Sequence, residues 1–163
     1  MARGQAERLM PLLERVLAEA GKAWADIDRI GVGVGPGNFT GIRISVAAAR
    51  GLALSLAVPA IGVDGFEATA SGRARPCTVR LPATGGLVYQ RSFGAGTGGP
   101  ELVPSETDPD AEPCPALAPG ELATAIAQIA AHRPDGGGER PAPLYIRSPD
   151  AAPPRVAPPV ILP

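Results

Sequence analysis

The chain has 163 residues, 45% of them apolar, enough to bury the core of one domain or of two small lobes. Fifteen basic residues against sixteen acidic ones leave a net charge of −1, which argues against strong autonomous nucleic-acid binding through phosphate neutralisation, so any such contact has to be shared with a partner. No apolar run approaches the ~20 residues that span a bilayer and no secretory apolar core stands at the N-terminus, which makes the cytoplasm the default compartment and leaves no role for a membrane.

In chain order, Leu9, Leu12, Leu13, Val16, Leu17 and Ala20 follow helical spacing, with Glu7, Arg8, Glu14, Arg15 and Glu19 on other faces and Gly21 placed to end the run. Pro11 lies inside this amphipathic segment and removes a backbone donor, so either a kink or a helix starting near Leu9 is expected. After a connection over Ala25 to Asp28, Ile30, Val32 and Val34 alternate with Gly31 and Gly33 in a short strand, whose glycines imply close approach by another element. The turn Gly35-Pro36-Gly37-Asn38-Phe39-Thr40-Gly41 then leads into a helix over Ile42 to Leu56.

That second helix mixes small residues, among them Ala47, Ala49, Gly51 and Ala53, with apolar bulk from Ile42, Val46, Leu52 and Leu54. Small residues four apart let another helix approach closely, and tight packing on the domain's own sheet and a subunit interface serve as explanations equally well. Pro59 closes the helix region, and Ala60 to Val63 reads as a strand parallel to the first, completing a β-α-β unit. Asp64 is placed to cap a short helix ending at Ser71, and Cys77 to Leu81 with Leu87 to Phe93 form a hairpin around Pro82, Gly85 and Gly86.

Beyond it the sequence changes character. Fifteen of the twenty prolines lie at or after Pro100, and Gly94 to Pro119 reads as a long irregular connection. An alanine-rich helix is expected over Ala118 to His132, with Pro119 and Glu121 favourable at its start, then a short strand over Leu144, Tyr145 and Ile146 and an extended proline-rich tail from Ser148 to Pro163.

Common catalytic devices are missing. The glycines at 31, 33, 35 and 37 satisfy neither the dinucleotide fingerprint nor the phosphate-loop pattern, and Lys22 is the sole lysine. His132 is the sole histidine, with no nucleophile elbow beside it, and at the end of a helix it reads as a solvated, dipole-favoured residue. Cys77 and Cys114 are far apart in sequence with no His or Cys nearby, so their spacing predicts neither a metal site nor a disulfide. No residue is assigned to catalysis or to a metal. Backbone N–H groups around Gly35, Gly37, Thr40 and Gly41 could hold an anion, although a tight turn that needs glycine for its backbone angles explains the run better.

The runs AERLMPLLERVLAEAG and IGVGVGPGNFTGIRISVAAARGLALSLAVPAIGVDGFEATA, covering Ala6 to Ala70, resemble the TsaB family. The specific part is Gly-Pro-Gly-Asn-Phe-Thr-Gly-Ile-Arg followed by a small-residue helix and Pro-x-x-Gly-Val; Leu87 to Phe93 and Pro143 to Arg147 resemble later parts of the family. The resemblance implies an α/β, actin-like ATPase (ribonuclease H-like) fold in two lobes, expected at 1–72 and 73–163, the second smaller and rich in Pro and Gly. It implies a non-catalytic dimerisation subunit of the machinery that makes threonylcarbamoyladenosine in tRNA. Its partners would be the catalytic paralogue TsaD, the ATPase TsaE or a second copy, with tRNA reached only through the complex and with ATP and a metal ion belonging to the partners. The interface would use Leu9, Leu13 and Leu17 on the first helix and Ile42, Val46, Ala49 and Ala53 on the second.

The paralogue carries a metal-binding His-x-x-x-His whose positions fall here on Gly65 and Thr69, neither of which can ligate as imidazole does. The family's opening strand and Asp-Thr-Ser-like turn precede the first helix, whereas Met1 stands just before it here, so an N-terminally truncated fold without the first hairpin is expected, with nucleotide binding in doubt. Gln5 stands where a histidine is frequent, and Pro82, Ala83 and Thr84 replace an Asp-Ala-Arg turn. The competing readings are an actin-like ATPase or glycopeptidase-like enzyme, and a non-functional fragment.

Overall fold

Two short parallel strands organise the first part of the chain in the computed structural model, which describes residues 5–94, 98–106, 114–134 and 140–146. β1 (Ile30–Gly33) and β2 (Ala60–Val63) pair with Ile30 opposite Ala60 and Gly33 opposite Val63, joined by the helix Phe39–Leu56, as the β-α-β reading expects. With α1 (Gln5–Glu19) before them, that helix is α2. It begins three residues before the expected Ile42 because Asn38 caps it: Asn38 Oδ1 accepts from Gly41 N–H at 2.8 Å. Ala57, at φ 55, ends it in the left-handed region.

Large and small residues alternate across this pair of strands. On one face Val32 and Val34 pack with Val46 and Ala49 of α2, and Gly62 leaves room there: a Cβ on it would meet Val34 Cγ1 at 2.9 Å and Pro141 Cβ at 3.2 Å. On the other face β2 supplies the bulk, Ile61 and Val63, and β1 supplies Gly31 and Gly33. α4 (Pro119–His132) lies on this second face, where a Cβ on Gly31 would meet Ala130 Cβ at 2.9 Å and the Ile126 carbonyl at 3.1 Å. The strand glycines thus mark close approach by a helix. Gly31→Ala is expected to push α4 off the sheet and cost about 1–3 kcal/mol, read as a lower urea midpoint at unchanged slope.

α4 starts with Pro119 in its first turn, and the Glu121 carboxylate accepts from Ala118 N–H at 2.8 Å. Its C-terminal end is held by cations. Arg29 Nη1 donates to the carbonyls of Ala130, at 3.0 Å, and Arg133, while Arg133 donates to the Gly62 carbonyl at 2.8 Å and pairs with Glu67.

The second sheet is antiparallel, in the order β3 (Cys77–Pro82), β4 (Leu87–Phe93), β5 (Glu101–Pro104). The hairpin was expected. β5 was not, since Gly94 to Pro119 read as irregular; Leu102 and Val103 stand opposite Tyr89 and Val88, and this pairing overrides the proline-rich local composition. α3 (Gly65–Ala70) joins the two sheets: Phe66 and Ala70 are fully buried with Val79 of β3, among Leu81, Tyr89 and Phe93. Of the segment after residue 72, α4 and residues 140–146 return to the first sheet.

Three further expectations need correction. Of the two outcomes expected around Pro11, the start near Leu9 is not the one found: α1 starts at Gln5 and runs through Pro11. Leu144, Tyr145 and Ile146 form no strand, because Pro141 and Pro143 lack donors, and a single Leu144 N–H to Val34 carbonyl bond of 2.8 Å ties this stretch to the end of β1. The expectation that no apolar run approaches a bilayer span meets one exception by length and composition alone, the 18 residues of α2 with a mean hydropathy of 1.2. The tail from Ser148 to Pro163 and Arg147 lie outside the described residues.

Candidate functional site

α1 contributes no residue to the three core clusters. Its Leu9, Leu13 and Leu17 are half-buried, whereas Met10, Leu12 and Val16 are exposed. α2 divides its residues between two directions. Val46 and Ala49 point inward and are buried against β1, with Ile42 packed on the same cluster. Ala53 is half-buried, and the outward stripe consists of Arg43, Ala47, Arg50, Gly51 and Leu54 at spacings of three and four residues. Leu54 is 85% exposed, and a Cβ on Gly51 would meet nothing within 4 Å. The structure therefore brings Ile42, Val46 and Ala49 together beneath the helix, while the surface above them is drawn by Ala47 and Gly51, small residues four apart that the sequence offers for close helix approach, and by Leu54, which it does not single out.

Beside this stripe lies an open depression of about 370 Å³ lined by Arg43, Val46, Ala47, Arg50, Pro143 and Tyr145. Arg43 lies 3.8 Å above the Phe39 ring and donates from Nε to Tyr145 Oη at 2.9 Å. Pro143 and Tyr145 are brought to α2 only by the tertiary course of residues 140–146, so nothing local in the sequence signals the depression.

The Gly-Pro-Gly turn is tied both within itself and to the start of α3. Gly41 N–H is bonded to Asn38, Gly65 N–H donates to the Gly35 carbonyl at 2.7 Å, and the Gly35–Pro36 bond is cis. Gly35 has φ +111, and a Cβ on it would meet Ile42 Cδ1 at 2.9 Å, so the position requires glycine. Of the four residues considered for an anion, Gly41 has its N–H bonded within the turn, Gly35 has its carbonyl bonded to Gly65 at the start of α3, and Gly37 and Thr40 are exposed.

The positions that answer to the paralogue's histidines do not fit a metal. A Cβ on Gly65 would already meet Leu81 Cδ1 at 3.0 Å, and Thr69 is 1% exposed inside the protein. Asp64, just before them, is structural: its Oδ1 accepts from Glu67 N–H at 2.7 Å and its Oδ2 from Arg91 at 3.1 Å. Asp64→Ala should remove both the α3 cap and the Arg91 tie, costing about 1–3 kcal/mol in a thermal or urea unfolding experiment. His132 is exposed in the last turn of α4, its Nδ1 2.8 Å from the Gln128 carbonyl.

Cys77 and Cys114, distant in sequence, adjoin in space. Cys114 forms an isolated parallel bridge with Val79, donates its N–H to the Thr78 carbonyl at 2.9 Å, and shares the Phe66 cluster with Cys77. Burial pushes the Cys114 thiol above its ordinary value, and the neighbouring Cys77 thiol adds to the rise.

The TsaD family, described as tRNA N6-adenosine threonylcarbamoyltransferase, matches residues 1–84. An uncharacterized protein of Mycobacterium tuberculosis is 35% identical over 93% of this chain and 79% of its own length. The tRNA threonylcarbamoyladenosine biosynthesis protein TsaB of Escherichia coli is 39% identical over 43% of this chain and 30% of its own length. Among solved structures, YeaZ from Pseudomonas aeruginosa superposes with a TM-score of 0.65 at 24% identity, over 89% of this chain and 85% of that one, a likeness of fold.

Proposed function

From the premise that this chain belongs to the TsaD family and is TsaB/YeaZ-like within it, we propose that it serves tRNA threonylcarbamoyladenosine biosynthesis as a non-catalytic scaffold in the cytoplasm. The fold is the mixed α/β, actin-like (ribonuclease H-like) one of its relatives. In this reading the outward faces of α1 and α2 dock a TsaD-like catalytic subunit, or a second copy of the chain when that subunit is absent. A TsaE-like ATPase and tRNA join through the catalytic subunit. Val46, Ala49 and Ile42 support the surface from behind, and Leu9, Leu13, Leu17 and Ala53 extend it beside Ala47, Gly51 and Leu54.

The observation that carries this reading is the exposure of α2. Only Val46 and Ala49 of its 18 residues are buried, and the apolar residue Leu54 stands almost wholly in water. A helix of such composition normally turns its apolar side to a core, so a large exposed remainder marks a place for another protein. Small residues at 47 and 51 would let the partner helix approach closely.

The enzyme reading draws little support from the site. Gly65 has no side-chain donor, Thr69 is sealed in the core and neither ligates as imidazole does, and the amide of Gly41 is already bonded within its turn. No step through a metal or nucleotide is assigned to this chain. The test is reconstitution: purified chain and the TsaD-like subunit of the same organism should co-elute on gel filtration, and tRNA modification should require both. Separate elution, or full modification without this chain, would sink the proposal.

A further inference from the structure

The structure assigns Cys77 and Cys114 to a thiol–disulfide modification site, in which a low-molecular-weight disulfide oxidises the pair to an intramolecular bridge that pins the segment leading into α4 onto β3. The assignment rests on placement. Cys114 pairs with Val79 across a parallel bridge, and Val79 and Cys77, two apart on one strand, present their side chains to the same face. On that face both cysteines pack into the Phe66 cluster, each half-buried rather than sealed off. A metal is not the alternative, because no group of three or more His, Cys, Asp or Glu residues that could hold one occurs among the described residues.

The two sulfurs have different surroundings, which orders the chemistry. Arg75 Nη1 donates to Cys77 Sγ at 2.8 Å, so negative charge developing on that sulfur meets a guanidinium. At Cys114, burial first and the neighbouring Cys77 thiol next push the thiol's pKa up, against a partial lowering by Arg73 and Arg75. Cys77 therefore attacks first. Its sulfur loses a proton to solvent and forms a bond to one sulfur of the small disulfide, whose own S–S bond breaks; the departing thiolate takes up a proton. Cys114 then attacks the Cys77 sulfur of this mixed disulfide, gives up its proton, and displaces the second small thiol, which is protonated in turn. Two protein thiols and one small disulfide become one protein disulfide and two small thiols, with two electrons passing to the oxidant.

The bridge would close the chain between positions 77 and 114, a long loop of the kind whose closure stabilises most. It would also fasten the approach to α4, the helix that covers the glycine face of the first sheet. The site is independent of the docking surface on α1 and α2.

The experiment incubates the purified full chain with oxidised glutathione under dilute, non-denaturing conditions, followed by intact mass and non-reducing peptide mapping. A Cys77–Cys114 linked peptide within one chain is expected, with a rise in the thermal midpoint on the order of 10 °C that a reducing agent reverses. Cys114→Ser should stop at one glutathionyl adduct on Cys77, and Cys77→Ser should react at Cys114 roughly ten-fold more slowly. Two separate adducts on the wild-type chain, cross-links only between chains, or a linked peptide with no change in the midpoint would each overturn the assignment. The wild-type readout stands even if a serine variant fails to fold.

Discussion

Leu54→Arg is expected to leave the chain folded and to weaken its association with the TsaD-like subunit by about two orders of magnitude, close to 3 kcal/mol. The side chain is 85% exposed, so the folded monomer gives up almost no packing when it changes. Leucine and arginine also have similar helix propensities, which keeps α2 intact. In the complex the same site would bury an unpaired guanidinium next to Arg50, where Leu54 had offered apolar area. Titration calorimetry supplies the affinity, and circular dichroism confirms that the fold is retained. Unchanged binding would remove α2 from the interface. Ala49→Arg, at a residue the family resemblance places in the interface, is a poor probe because Ala49 is buried against β1 and a charge there would unfold the protein.

The largest loss of stability is expected from Phe66→Ala. Phe66 is fully buried where α3 meets the second sheet, among Val79, Ala70, Leu81, Tyr89, Phe93 and the backbone course that carries Leu144 and Ile146. Removing its ring deletes the transfer energy and leaves a cavity between two pieces of the molecule, for about 3–5 kcal/mol. Against a typical domain stability of about 5–15 kcal/mol, the thermal midpoint should fall by about 10 °C or more. The fall should be read together with a broadened transition, because the three-stranded sheet loses its main attachment to the first sheet. A sharp transition at the wild-type midpoint would mean that the sheets are held together elsewhere.

The parts of the fold legible in the sequence are those whose signals are local. Val32 and Val34 alternating with glycines, the Gly-Pro-Gly-Asn turn and the capping position of Asp64 each announce an element from within a few residues of it. β5 escaped because its four residues follow Pro100, include Pro104 and carry no period, and their strand character comes from lying opposite β4 residues such as Val88 and Tyr89. Residues 144 to 146 misled in the opposite sense, since an apolar triplet resembles a strand whatever its neighbours do. The face of α2 was ambiguous for a related reason: small and large residues interleave around the whole helix, and only the packing of Val46 and Ala49 on β1 decides that Leu54 looks outward. The approach of Cys114 to Cys77 and of Arg29 to the end of α4 joins residues far apart along the chain, beyond the reach of any spacing argument.

The docking of α4 on Gly31 and Gly33 also sets an order of events during synthesis. The β1-α2-β2 unit is complete once residue 63 has been made, but the helix that covers its glycine face ends at His132. At about 5–20 residues per second, the ribosome needs some 3–14 s to add the intervening chain. Through that interval Ile61 and Val63 border a shallow, uncovered trough in the nascent chain. The trough closes only when α4 docks and brings Ala130 against Gly31.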